Sequence, residues 1–549
     1  MTDTITIYVD GKEYNYAKDT TLEEISRSFI DMFKHKIILA SVNGVVKELH
    51  NIPTDGANVE FFDLTNKVAN RAYVSGLTFL IEYAVKELYG KNEDIILHHS
   101  IDKGISIEPT FTLTEAKLQE IANKMNQIVK QDLPIKRLVV DRLEASNYYK
   151  NVGDLSKVGA LKYNTNSVVT LYKLGNLYNY FYGYMPISTG CLDMFELTYI
   201  SEERFILRFP TIYINDSIKE YVHHQKLYDA FKECNEFNKK TKIENVSNIN
   251  DIISKGRIDE LIRFNEAMYN KILIELAQEI TSKKDVSIIL IAGPSSAGKT
   301  TVSKKLSTFI NGQVKRVYSI SMDDFFKEKL DTPKIDGRYD FESLAAMDLD
   351  LFDGTMEKLL KYEEVIMPTY NFITGKKEFK NKIKLNEGDL LIIEGIHALD
   401  TSILTNIDRN KKYKIYLSPL TEVNIDNHNR ISTTDNRLLR RIIRDNRTRG
   451  YNAEESIASW DDVRGGEEKY IFPFQDEADY VFNSGVIYEI GVLKTYVEPL
   501  LHNVENTSPY YEEAKRLINF LRMFLPIPSE AIPADSVLRE FIGGSCYHD

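Results

Sequence analysis

Lys284-Asp-Val-Ser-Ile-Ile-Leu-Ile-Ala-Gly-Pro-Ser-Ser-Ala-Gly-Lys-Thr-Thr301 is the stretch that decides how the rest of the chain is read. Residues 284–292 are an apolar run of the kind that forms a strand buried on both faces of a parallel sheet. Gly293, Pro294, Ser295, Ser296, Ala297, Gly298, Lys299 and Thr300 then match G-x-x-x-x-G-K-[ST] in full, and Thr301 follows. Glycines at those positions let backbone N–H groups close around phosphates, and the positive end of the following helix adds to the attraction. In such a loop Lys299 reaches the β- and γ-phosphates, and the Thr300 hydroxyl is a ligand for Mg²⁺. The expectation is an ATP-binding domain of parallel α/β type.

Three further segments fit that domain. Val317–Ser321 reads as a strand delivering Met322-Asp323-Asp324-Phe325-Phe326-Lys327 at its C-terminal end, where open α/β sheets bind ligands. A carboxylate there can accept a proton from an attacking hydroxyl, and in the blander reading Asp323 or Asp324 merely caps a turn. Asp389–Gly395 is an apolar strand ending in Glu394, an acid placed to hold the Mg²⁺ shell directly or through water. His397 follows and reads as structural. Arg437, Arg440, Arg441 and Arg444 share one helical face, and Arg447 and Arg449 come next, which is six arginines in thirteen residues of an acidic protein. They read as a helical lid closing over the triphosphate rather than as a solvated face. Strands at 414–417 and 479–483 complete a sheet of about five.

The remaining sequence bounds the possibilities. With 549 residues, 43% apolar and 27% charged, the chain has material for three or four domains. Its 69 basic and 81 acidic residues leave a net charge of −12, which disfavours a broad non-specific grip on nucleic acid. Cys191, Cys234 and Cys546 are far apart, so neither a disulfide framework nor a Cys-rich zinc site is expected. No stretch approaches the length of a membrane span, and residues 1–4 have no signal-like pattern, so a cytoplasmic location is expected. Residues 1–66 alternate like strands around Asp10-Gly11, Asn43-Gly44 and Asp55-Gly56 turns, with Thr-x-x-Glu boxes at Thr20 and Thr21 for one short helix. This is a β-grasp pattern. Residues 67–225 read as α+β, including a helix started by Thr112-x-x-Glu115 and strands at 167–172 and 204–208. Within 226–283, Asn238–Asn250 looks like a linker and an amphipathic helix connects it to the domain at 284–500, with an extension at 501–549.

Taken together, Gly293–Thr301, Ser321–Lys327, Pro368-Thr-Tyr-Asn-Phe372, Ile393-Glu-Gly-Ile396 and Arg440–Asp445 resemble the uridine kinase/phosphoribulokinase family over about residues 284–500. The resemblance implies an ATP- and Mg²⁺-dependent kinase with Asp323 as base, assisted by Lys299, Arg441 and Arg444. Glu394 would be the metal-shell acid, Phe326 an acceptor-site aromatic, and Tyr370 and Phe372 the pair around the nucleobase. The departures lie at the acceptor. Glu342 stands where uridine kinases carry an Asp for the ribose hydroxyls, Gly375 where a His is expected, and Tyr451 where an arginine is expected. A nucleoside such as uridine or cytidine is the first acceptor this implies. Another nucleoside, a sugar phosphate or a pantothenate-like alcohol is the alternative, and the family's habit of self-association allows a homo-oligomer.

The N-terminal half resembles the corresponding region of threonyl-tRNA synthetase, a TGS-like β-grasp module followed by an editing-type domain. Leu113–Ile135 and Pro186-Ile-Ser-Thr-Gly190 carry that likeness. The family's H-x-x-x-H, Cys and His positions fall on Ser75, Phe79, Phe181 and Met185, so deacylation of mischarged tRNA is not implied. His98 and His99 are adjacent on a strand, where alternation is expected to keep them from facing one pocket. A competing functional class is an RNA-associated P-loop NTPase using this half, which the acidic charge disfavours.

Overall fold

A computed structural model describes residues 4–547, apart from 215–216, 313–315, 336–337, 372–373 and 422. The first layer is a five-stranded mixed sheet with strands ordered Lys12–Ala17, Thr4–Val9, Ala57–Phe62, Leu39–Val42, Val45–Glu48. Ile5, Ile7 and Val9 alternate inward onto a core shared with Leu22, Ile25 and Phe29. Of the two overlapping capping boxes, Thr21 with Glu24 forms and starts the helix Leu22–Ser26.

The long helix Lys67–Tyr89 comes next and buries Ala69, Tyr73, Leu77, Leu80 and Ile81. It shares that core with a four-stranded antiparallel sheet ordered Glu196–Ser201, Arg204–Arg208, Gly104–Pro109, Ile95–Ile101 and with the helix Glu115–Gln131. Thr114, not Thr112, caps that last helix, its hydroxyl accepting the Lys117 N–H. A three-stranded sheet, Leu177–Asn179, Val168–Leu174, Lys136–Asp141, closes this part. Phe79, Phe181 and Met185 fill one apolar cluster with Ile135, Tyr172 and Leu174, and the Phe79 and Phe181 rings lie 5.5 Å apart. Packed carbon therefore occupies three of the four positions at which the synthetase resemblance puts metal-type side chains.

Two expectations change. Asn238–Asn250 is not a linker: it holds the end of the helix Gln225–Thr241 and much of the helix Val246–Ser254, with Ile243, Val246 and Ile249 buried. Asn245 caps the second of these helices, closing a capping box with Asn248, while Asn250 donates to the Met523 carbonyl and accepts the Leu525 N–H. The histidine pair also departs from strict alternation, because the strand ladder slips between Leu97 and Ser100. Both rings thus line one cavity of about 1470 Å³. Each is nonetheless partnered, His98 by Glu108 at 3.0 Å and His99 by stacking on Phe231 at 3.8 Å.

The helix Ile258–Ser282 leads into a five-stranded, wholly parallel sheet ordered Val317–Ser321, Leu390–Glu394, Ile288–Ala292, Lys412–Ser418, Tyr480–Asn483. The central strand Ile288–Ala292 is buried throughout. Ile288, Leu290 and Ala292 enter the core on one face, and Ile289 and Ile291 the core on the other. Among the described residues no helix is long and apolar enough to cross a membrane.

The halves meet through buried charge. The hairpin Asn424–Arg430 reaches into the N-terminal half, where Lys157 Nζ lies 2.9 Å from Asp426. His428 Nε2 is 2.9 Å from Asp94, and Asn179 bridges His428 to Glu82. Lys86 stands 3.3 Å from Asp94. Although burial opposes its charge, the two carboxylates push His428 up to about 9, so it pairs as a cation. Its contribution to stability is full below the ordinary histidine value of 6.5 and disappears as pH rises through about 9. His428→Leu should cost about 3–5 kcal/mol in urea unfolding at neutral pH by leaving two buried carboxylates short of a partner. The deficit relative to wild type should shrink above pH of about 9. An unchanged midpoint at neutral pH would show that the cation does not hold the halves together.

Candidate active site

The loop 293–298 leaves the central strand and turns into the helix Lys299–Asn311. Gly293 has no room for a side chain, since a Cβ there would lie 2.2 Å from the Leu417 carbonyl oxygen. Ser296 and Gly298 take positive φ, +60° and +89°, which curls successive N–H groups toward one side. Gly298 supplies no side-chain cap, so the first N–H groups of the helix get no partner from the residue that starts it. Lys299 folds over the loop and donates to the Gly293 and Pro294 carbonyls at 3.0 and 3.4 Å.

Register brings the acids to this loop. Ser321 pairs with Glu394 on the neighbouring strand, so Asp323 and Glu394 emerge at the same edge of the sheet. Thr300 Oγ1 donates to Glu394 Oε1 at 3.3 Å. Asp323 opens onto the cleft while the surrounding walls exclude enough water to raise its carboxyl, with Lys299, Arg449 and Arg444 partly offsetting the effect. Asp324 is instead occupied by the Tyr370 N–H at 3.2 Å, a structural role. Burial pushes both Glu394 and Glu342 up to about 7. Lys299 draws Glu394 down and Asp323 pushes it up, so the three groups form one electrostatic unit. A Thr hydroxyl beside a carboxylate, with a second carboxylate close by, is an oxygen-donor set suited to Mg²⁺.

The arginines divide by burial. Arg437 and Arg440 lie beneath the loop: Arg437 pairs with Glu467 and donates to the Ser295 carbonyl at 3.0 Å. Arg440 pairs with Glu489 and reaches the Ser484 carbonyl at 3.1 Å. Glu467 also accepts the Ser295 N–H at 3.0 Å, and Ser484 Oγ donates to Ala297 O at 2.5 Å. These two arginines are braces, a correction to the expectation that the whole helical face Thr433–Thr448 closes over phosphates. Arg441 donates to Ser295 Oγ at 3.2 Å, and Arg444 is held by Asp445 at 3.0 Å. Glu467, Glu489 and Ser484 carry no motif that would have singled them out, and only the fold brings them to the loop.

Phe326 and Tyr370 are buried and pack edge-on at 5.8 Å, with Phe341 5.4 Å from Phe326. Glu342 lies against Gly466, where a Cβ would stand 2.8 Å from Glu342 Cβ. Phe372 lies outside the described residues. His397 is buried, and that burial lowers its ring to about 4, so it is neutral near pH 7. The 1470 Å³ cavity at the histidine pair contains none of these groups.

Residues 288–490 match the phosphoribulokinase/uridine kinase family. The uridine kinase of Borreliella burgdorferi is 30% identical over 216 residues, which are 39% of this chain and 95% of that protein. The uridine kinase of Anoxybacillus flavithermus is 27% identical over 207 residues, 37% of this chain and 88% of that protein. The N-terminal region instead matches threonine–tRNA ligases. That of Desulforamulus reducens is 25% identical over 197 residues, covering 35% of this chain and 31% of the ligase. The chain thus spans about a third of the length of the ligases it matches, and joins parts resembling two separate proteins.

The raised carboxyls set a pH dependence. A buried acid with a folded value near 7 and an ordinary value near 4.5 favours the fold when protonated, and that contribution is lost as pH rises through about 7. In the metal-free protein Glu394→Gln should therefore gain thermal stability relative to wild type as pH rises from about 5 to about 8. Scanning calorimetry at several pH values reads the difference. A difference independent of pH would contradict the burial of this carboxyl.

Proposed function

This chain belongs to the phosphoribulokinase/uridine kinase family, and from that premise we propose that it transfers the γ-phosphoryl group of ATP to the hydroxyl of a small molecule. One observation carries the reading: Asp323 and Glu394 leave adjacent parallel strands at the mouth of the 293–301 loop, with Lys299 acting on both. The loop N–H groups and Lys299 would hold the phosphates. Thr300 and Glu394 would hold Mg²⁺, which when bound neutralises phosphate charge. The acceptor hydroxyl gives its proton to Asp323 as its oxygen bonds to phosphorus and the bond to the leaving ADP oxygen breaks. A carboxyl raised above its ordinary value is a better proton acceptor at the operating pH. Arg441 and Arg444 add positive charge for the transferring group.

For the acceptor, a nucleoside, uridine or cytidine first, is the proposal, with Glu342 reading the sugar hydroxyls and Phe326, Tyr370 and Phe372 walling the base. Residues 284–500 would be the catalytic domain. Residues 1–66 and 67–225 would form a TGS-like and editing-like module that regulates or recruits without deacylating tRNA.

Asp323→Asn should lower kcat about 10²–10⁴-fold while leaving Mg-ATP affinity within a few-fold. Product mass over a panel of nucleosides, sugar phosphates and pantothenate-like alcohols identifies the acceptor. Wild-type turnover in the variant would remove Asp323 from the base role.

A further inference from the structure

The segment 529–546 lies against the loop and closes on itself. Arg539 donates to the carbonyls of Ser529 and Ile532 at 2.8 and 2.7 Å, and Cys546 N–H to Ala534 O at 2.9 Å. Val537, Leu538 and Phe541 are buried, and the Arg440 guanidinium stands 4.9 Å over the Phe541 ring. Arg447, one of the arginines expected over phosphates, donates instead to the carbonyls of Glu540 and Phe541. Gly298 makes room for this docking, since a Cβ there would lie 2.5 Å from Val537 Cγ2.

The docked segment delivers a carboxylate to the start of the loop's helix. Glu540 Oε2 accepts the Thr301 N–H at 3.1 Å and the Thr301 hydroxyl at 2.7 Å. Helix Lys299–Asn311 has no side-chain cap of its own, so this anion, 239 residues away in sequence, takes one of the first-turn donors. The same donors are what a helix of this kind offers to phosphate. Glu540 also lies close enough to Glu394 to disfavour its charge.

We infer that Glu540 is an affinity-determining residue of the nucleotide site, its carboxylate competing with nucleotide phosphate for the N–H and hydroxyl of Thr301. The inference rests on the proposal that the 293–301 loop holds a nucleotide. Because Val537, Leu538 and Phe541 are packed and Arg447 holds the backbone, rotation of the Glu540 side chain is enough to free the donors. Nucleotide entry thus exchanges one anion for another. The fixed negative charge lowers affinity for the triphosphate before chemistry and eases departure of the diphosphate after it.

Titration calorimetry of Mg-ATP into the full chain tests this with wild type, Glu540→Gln and Glu540→Ala. Removing the charge should tighten Mg-ATP about tenfold, the factor that separates a charge-assisted from a neutral hydrogen bond. The nucleotide-free Tm of each variant should be unchanged or slightly lower, because a favourable anion at a helix N-terminus is lost. Equal or weaker binding by both folded variants overturns the inference and, with wild-type binding intact, leaves the kinase reading in place. If neither wild type nor variants bind Mg-ATP, both readings fall together.

Discussion

Two buried arginine–carboxylate pairs, Arg437 with Glu467 and Arg440 with Glu489, hold the loop on which everything else depends. A loop that presents N–H groups to an anion must turn its carbonyls elsewhere, and buried carbonyls need donors. Arg437 serves Ser295 O, Arg440 reaches Ser296 O and Ala297 O at 3.4 and 3.5 Å, and Ser484 serves Ala297 O. Each guanidinium is neutralised by its own carboxylate, so it braces the loop without adding bare charge to the core. The positive charge left for a phosphate comes from Lys299 and the outer arginines. Charge within one helix is thus sorted by depth, Arg437 and Arg440 fully buried and Arg444 and Arg449 nearer the cleft.

The same sorting explains the acids. Glu394 and Glu342 are both pushed up to about 7 by burial, and a cation or hydrogen-bond donors beside them would favour their charged forms. Asp324, by contrast, is occupied by a backbone N–H, and its neighbour Asp323 is the one facing Lys299. In the N-terminal half the corresponding resource is spent differently. Its buried charges at Glu82, Asp94 and Lys157 pair with His428 and Asp426 of the C-terminal half. Arg71 binds Glu513, which with Arg516 continues to Asp435 on the same helix that carries the arginines. An ion-pair chain therefore runs from the synthetase-like part to the helix bracing the loop.

Much of this was legible beforehand, for physical reasons that vary by element. The strand–loop–helix at 284–301 was readable because a parallel strand buried on both faces, two glycines and a lysine leave few alternatives. The turns of the N-terminal sheet are readable because Asp-Gly and Asn-Gly pairs favour the positive φ that hairpins need; Gly11, Gly44 and Gly56 all adopt it. Asn238–Asn250 reads as a linker by composition because Asn-rich polar runs look alike whether they form loops or, as Asn245 and Asn248 do, cap a helix. The histidine pair escapes a period-two rule because a slip in strand register leaves no mark in the sequence. The division of the arginines, and the arrival of Glu540 at Thr301, depend on contacts between residues 30 to 239 apart in sequence, which no local pattern carries.

A kinase differs from an NTPase in moving the phosphoryl group onto an organic hydroxyl instead of onto water. The direct measurement is the fate of label from γ-³²P-ATP in the presence of the full chain, Mg²⁺ and an acceptor mixture of nucleosides, sugar phosphates and polyols. A kinase acting on a small alcohol places label in an organic phosphate ester whose formation depends on the acceptor. Label appearing only as inorganic phosphate, at a rate indifferent to any acceptor, would contradict the kinase reading.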